Sequence, residues 1–102
     1  MHGVLYDANL VNLFFDFELV KSKHQHNRDF CIAFGAHLRQ IREAKGIGTR
    51  EFANDADMEY SQLSKIERGV TNPTISTVIA LAEALEISHT ELFNFRFPRK
   101  PR

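Results

Sequence analysis

From residue 30 to residue 95 apolar side chains recur at spacings of three and four, and turn-forming residues break the recurrence at short intervals. Phe30, Phe34, Leu38, Ile41 and Ala44 form the stripe of an amphipathic helix, with Asp29 placed as its N-cap and Gly46 as the left-handed residue that ends it. A shorter helix is predicted from about Thr49 to Ala56, burying Phe52, Ala53 and Ala56. After Asp57-Met58-Glu59 a third runs from about Tyr60 to Arg68, with Leu63, Ile66 and Met58 inward, until Gly69 stops it. Asn72-Pro73 forces a turn, and Thr74 caps a fourth helix striped by Ile75, Val78, Ile79, Ala82 and Leu85. Ser88-His89-Thr90-Glu91 has the pattern of a capping box and opens a fifth helix through Leu92 and Phe93. No alternating strand pairs or hairpin turns occur in this stretch, so the predicted fold class is all-α.

A chain of 102 residues has room for one such domain. With 43% hydrophobic and 25% charged residues it is too apolar for a disordered chain, and nine Phe supply a core. No stretch reaches the roughly 18 apolar residues of a bilayer span, so no membrane partner is expected. Met1 to Asp7 lacks the basic region and cleavage site of a secretory signal. A lone Cys31 cannot close an internal disulfide. The expected location is cytoplasmic.

The formal net charge of zero hides strong segregation. Residues 1–20 carry Asp7, Asp16 and Glu18 and no base, whereas residues 21–50 carry seven bases against Asp29 and Glu43. Residues 51–68 are acidic again, and residues 96–102 add Arg96, Arg99, Lys100 and Arg102. Such blocks permit a basic face without requiring one.

Three regions follow: an extension and linker over residues 1–29, a domain over 30–95, and a basic tail over 96–102. Within the extension, Leu10, Leu13, Phe14, Phe17 and Val20 fit a helix, while Phe15, Phe17 and Leu19, alternating with Asp16 and Glu18, fit a strand equally well. Residues 10–20 are too apolar to hang free. They are expected to pack on their own bundle or to exchange with a second subunit.

The stretch from Phe52 to Gly69, FANDADMEYSQLSKIERG, carries the functional information. Two short helices join through a tight turn, and the second has only one inward face. That is the helix-turn-helix arrangement, which presents its second helix outward to a major groove about 12 Å wide. Taken with Leu38-Arg39-x-x-Arg42, Asn72-Pro73, Leu81-Ala82-x-x-Leu85 and Glu91-Leu92, the chain resembles the lambda-repressor-like (XRE-type) DNA-binding domains over about residues 34–95.

The resemblance implies a compact five-helix bundle with Tyr60 to Arg68 as recognition helix. Tyr60, Ser61, Gln62, Ser64 and Lys65 lie beside the inward Leu63 and Ile66, so they face outward and are the candidate base-reading residues. Gln62 suits bidentate pairing with adenine, Lys65 donation to guanine, and Tyr60 a thymine methyl or a phosphate. The plainer reading is a solvated polar helix face. Arg42 and Glu67 match positions that form an ion pair between the first and third helices of the family, a structural role. Thr49, Arg50 and Ser61 lie near helix N-termini, where phosphates are held; Arg39, Lys45 and Asn72 are further phosphate candidates.

The chain departs from the family pattern in several places. Asp57 and Glu86 stand where Gly is usual, and Thr49 where Gln is usual. Asp55, Asp57 and Glu59 place negative charge beside the expected DNA face. From the family, a homodimer reading a near-palindrome is expected, with Ile87, Leu92, Phe93 and Phe95 near the subunit contact. As given, the chain has no room for a separate ligand-binding module. The expected role is a double-stranded-DNA-binding transcriptional regulator, a repressor or a restriction-modification-controller-like protein, with no small-molecule ligand evident.

The sequence leaves two rival readings. His24, His26 and Cys31 lie in or near the linker, where a Zn²⁺ site is imaginable. However, Cys31 falls on the first helix and His37, six residues on, is spaced from it unlike any standard ligand pair, so no metal or other cofactor is expected. There is no nucleophile elbow, phosphate-binding loop or carboxylate pair in an evident cleft, so no catalytic residue is assigned and no enzyme is expected. The stronger rival keeps the fold but uses it to dock on a protein, such as a toxin or a transcription component.

Overall fold

A computed structural model describes residues 27–97, and every regular element among them is helical. The first helix, α1, covers residues 27–44, followed by α2 (Thr49–Asp55), α3 (Tyr60–Glu67), α4 (Ile75–Leu85) and α5 (His89–Leu92). Their stripes converge on one core containing Phe34, Leu38, Phe52, Ala53, Ala56, Leu63, Ile66, Leu81, Ala82, Leu85 and Leu92. Ile41, Ile47 and Met58 pack at its edge. Helix α2 packs against both α3 and α4, and α4 against α5, while α1 reaches both ends of that series, through Arg42 to Glu67 of α3 and through His37 to the Glu91 carbonyl of α5.

One backbone device ends four successive helices. After α1, Gly46 N–H donates to the Glu43 carbonyl at 3.0 Å and Ile47 N–H to the Arg42 carbonyl at 3.2 Å. Asp57 and Met58 repeat this pair of bonds on Asn54 and Ala53 after α2, Gly69 and Val70 on Ile66 and Lys65 after α3, and Glu86 and Ile87 on Glu83 and Ala82 after α4. This is the Schellman motif, and it needs a left-handed residue at each stop. Two stops use Gly46 (φ 72°) and Gly69 (φ 74°); the other two force Asp57 (φ 56°) and Glu86 (φ 58°) into the same region. The acids at two of the four stops therefore keep the same turn geometry as the two glycines and carry the strain of a side chain there, about 1–2 kcal/mol each.

Four local expectations are corrected. Residues 27 and 28 are already helical, so Asp29 lies inside α1 and is not its N-cap. The inward face of α4 is turned from the expected stripe: Ile75 is 81% exposed and Ile79 also stands exposed, while Leu81 is fully buried beside Val78, Ala82 and Leu85. Ser88 occupies the N-cap position of α5 but makes no capping bond; its hydroxyl pairs with the Thr90 hydroxyl at 2.7 Å instead. Helix α5 stops at Leu92, leaving Phe93 outside it and 46% exposed. Thr74 does cap α4, accepting from Thr77 N–H at 3.2 Å. The expectations for residues 1–26 and for 98–102 lie outside the described residues.

Candidate nucleic-acid interface

Position and orientation of α3 follow from three contacts. Leu63 and Ile66 are buried in the core and set which face turns inward. Gly35 of α1 faces the carbonyls of Ile66 and Glu67 so closely that a Cβ there would come within 3.0 Å of both oxygens. Arg42 then ties the helix end: its Nε donates to Glu67 Oε2 at 2.7 Å, its Nη2 to Glu67 Oε1 at 3.1 Å, and its Nη1 to the Ile47 carbonyl at 2.8 Å. Hydrogen bonding to Glu67 raises the Arg42 pKa above its ordinary value, outweighing the opposing effect of burial. The guanidinium therefore stays charged, and one side chain joins α1, the α1–α2 connection and α3.

With its inner face so held, α3 turns Tyr60, Ser61, Gln62 and Lys65 to solvent. Ser64 is only half-buried, and its hydroxyl accepts from Arg68 Nε at 3.3 Å. Across the turn, the Arg50 guanidinium lies over the Tyr60 ring, 4.4 Å from its centroid, at a distance where cation–π attraction is effective. A recess between α2 and α3 brings together Arg50, Asn54, Tyr60 and Gln62, with Asp57 and Glu59 also on its wall. Asn54 was not singled out from the sequence. Its spacing of four from Arg50, which puts both on one face of α2, was the available signal.

The phosphate candidates do not form one cluster. Thr49 is half-buried at the start of α2, whereas Arg39 and Lys45 are exposed on α1 and just beyond it. Arg39 forms an exposed ion pair with Glu43 at 3.0 Å. Asn72 is exposed beside Phe30 and Cys31 of α1, away from the recess. Glu59 stands at the N-cap position of α3 but makes no side-chain capping bond, leaving its carboxylate at the rim of the recess. Of the three candidate ligand histidines, His37 bonds through Nε2 to the Glu91 carbonyl at 2.9 Å and packs its ring at a tilt against Phe95; His24 and His26 lie outside the described residues. Leu92, placed near the subunit contact, is fully buried in the single chain's own core, while Phe93 remains available.

Residues 38–92, spanning α1 through α5, match the helix-turn-helix family profile. The chain belongs to the XRE-type helix-turn-helix family of DNA-binding transcriptional regulators. It is 38% identical over 58 residues to the HTH-type transcriptional regulator y4dJ of Sinorhizobium fredii, which covers 57% of this chain and 75% of that one. Similarity to the HTH-type transcriptional regulator SlrR of Bacillus subtilis reaches 39% over 61 residues, 59% of this chain but only 40% of SlrR. Among solved structures, the restriction-modification controller protein C.AhdI from Aeromonas hydrophila superposes with a TM-score of 0.61 at 35% identity, covering 62% of this chain and 96% of C.AhdI. In this helix-turn-helix protein, α2, the turn at Asp57 and α3 are the motif. No helix among the described residues is long and apolar enough to cross a membrane.

Proposed function

We propose that this protein is a dimeric, sequence-specific repressor or controller of transcription, acting in the cytoplasm, that reads a near-palindromic duplex with α3. One observation carries the reading. The inner face of α3 is fixed by Arg42, Glu67 and the Gly35 approach, while Ser61, Gln62 and Lys65 stand exposed on its outward face beside Tyr60, whose ring lies under the Arg50 guanidinium. A reader must be rigid on one side and available on the other. In this assignment Tyr60, Ser61, Gln62, Ser64 and Lys65 meet base edges, and Arg39, Lys45, Thr49, Arg50 and Asn72 meet phosphates. Two such helices about 34 Å apart in a dimer would enter successive turns of one groove face.

The near-complete coverage of C.AhdI supports a controller-like role, because a chain of that kind is little more than the bundle itself. Selection from random duplex DNA at two salt concentrations tests the proposal. The expected result is an enriched near-palindrome whose affinity falls by about 10³–10⁵ between 50 and 200 mM salt, as for a protein neutralising several phosphates. Folded protein that enriches no sequence would instead point to docking on a protein partner.

A further inference from the structure

A second surface, to which no residue of α3 contributes, is largely apolar, with Asn72 at its edge. Phe30 and Phe34 of α1, Pro73 before α4, Ile75 and Val78 of α4, and Phe93 after α5 line a groove of about 150 Å³. That is smaller than the roughly 300–1,000 Å³ of most ligand cavities and suits inserted side chains. Ile75 and Phe93 stand well exposed on its walls. The groove continues into a recess bounded by Asn27, Phe30, Cys31 and Asn72, so it begins where the described chain begins.

We propose that residues 10–20 of the same chain lie in this groove and cover it. Leu10, Val11, Leu13, Phe14, Phe15, Phe17, Leu19 and Val20 are an apolar run in need of a partner surface. The six residues 21–26 between that run and Asn27 reach up to about 20 Å when extended, enough to turn the run back along α1. Tethering at the mouth of the groove gives the run an effective concentration of roughly millimolar, ahead of a second copy at micromolar protein.

Charge favours the same arrangement. Residues 1–20 carry three acids and no base, while residues 96–102 carry four bases and no acid. The two described residues of the latter segment, Arg96 and Phe97, lie by the groove, since the Phe97 ring packs edge-on against Phe30 with centroids 5.0 Å apart. An acidic segment in the groove would lie next to a basic one.

Cys31, the chain's single cysteine, lines the groove and provides the probe. Leu13→Cys, Phe14→Cys and Phe17→Cys are made singly in the full chain and oxidised with diamide at low protein concentration, with His2→Cys as control. The expected result is a monomeric disulfide to Cys31 in at least one variant, formed about tenfold faster than in the control, reflecting local proximity. A disulfide-linked dimer as the main product would assign the groove to a second copy and overturn the proposal, as would rates equal to the control throughout. Alkylation provides an independent measurement. Phe14→Asp with Phe17→Asp should expose Cys31 to iodoacetamide about tenfold faster than in the parent chain, with helical content retained. An unchanged rate would also overturn the proposal.

Discussion

Arg42 and Glu67 meet through two parallel hydrogen bonds, 2.7 Å from Nε to Oε2 and 3.1 Å from Nη2 to Oε1, with both side chains less than a tenth exposed. The pair joins α1 to the last residue of α3, which makes it the hinge pin of the proposed reading helix. In a buried bidentate pair each partner is the other's main compensation for lost water, so losing either one is costly.

Glu67→Ala is accordingly expected to lower stability by about 3–5 kcal/mol, measured by urea unfolding, because it strands the Arg42 guanidinium in the interior. Replacing both residues with Met and Leu should recover much of that loss. Since the Arg42 pKa is raised in the folded chain, chiefly by its hydrogen bond to Glu67, this contribution is complete below the ordinary guanidinium range and is lost only as pH rises through the raised value. Unfolding midpoints between about pH 6 and 10 should show no decline attributable to Arg42.

Gly35→Ala tests the close approach of α1 to α3. Alanine improves helix propensity by about 1 kcal/mol, yet its Cβ would meet two backbone oxygens that cannot rotate away. The expected net effect is destabilisation by roughly 1–3 kcal/mol, seen as a lower urea midpoint. A stabilised variant would mean that α1 and α3 are farther apart than described.

Asp57→Gly and Glu86→Gly separate strain from charge. Both residues hold positive φ at a helix stop, so each glycine variant should gain up to about 1 kcal/mol after the entropy of the unfolded glycine is deducted. Only Asp57 borders the recess beside α3. Asp57→Gly should therefore also strengthen DNA binding at low salt, and Glu86→Gly should leave it unchanged in a fluorescence-anisotropy titration.

Gln62→Ala and Lys65→Ala address base reading. Each is expected to reduce the preference for the selected operator over random DNA by about 1–3 kcal/mol. Thr49→Ala should weaken both duplexes alike. Selectivity untouched by either α3 substitution would remove this face from the reading assignment.

Much of this protein was legible in the chain because short-range chemistry decides it. The three-and-four spacing of Phe34 and Leu38 in α1, of Leu63 and Ile66 in α3, and of Val78, Ala82 and Leu85 in α4 determined which faces turn inward, and Gly46, Gly69 and Thr74 marked helix ends through local hydrogen bonds. Leu63 and Ile66 likewise settled that Tyr60, Gln62 and Lys65 point outward, since one helix cannot bury both sides here. Tertiary structure decided what depends on neighbours remote in sequence. Ile75 and Ile79 fit the periodic pattern yet stand exposed while Leu81 is buried, Ser88 fits a capping box yet bonds Thr90, and Arg50 settles over Tyr60 through the fold of a turn. The recess that gathers Asn54 with Gln62, and places Asp57 and Glu59 on its wall, exists only once α2 and α3 have packed. Periodicity specifies a direction from the helix axis, whereas burial and electrostatic surroundings depend on what another element places in that direction.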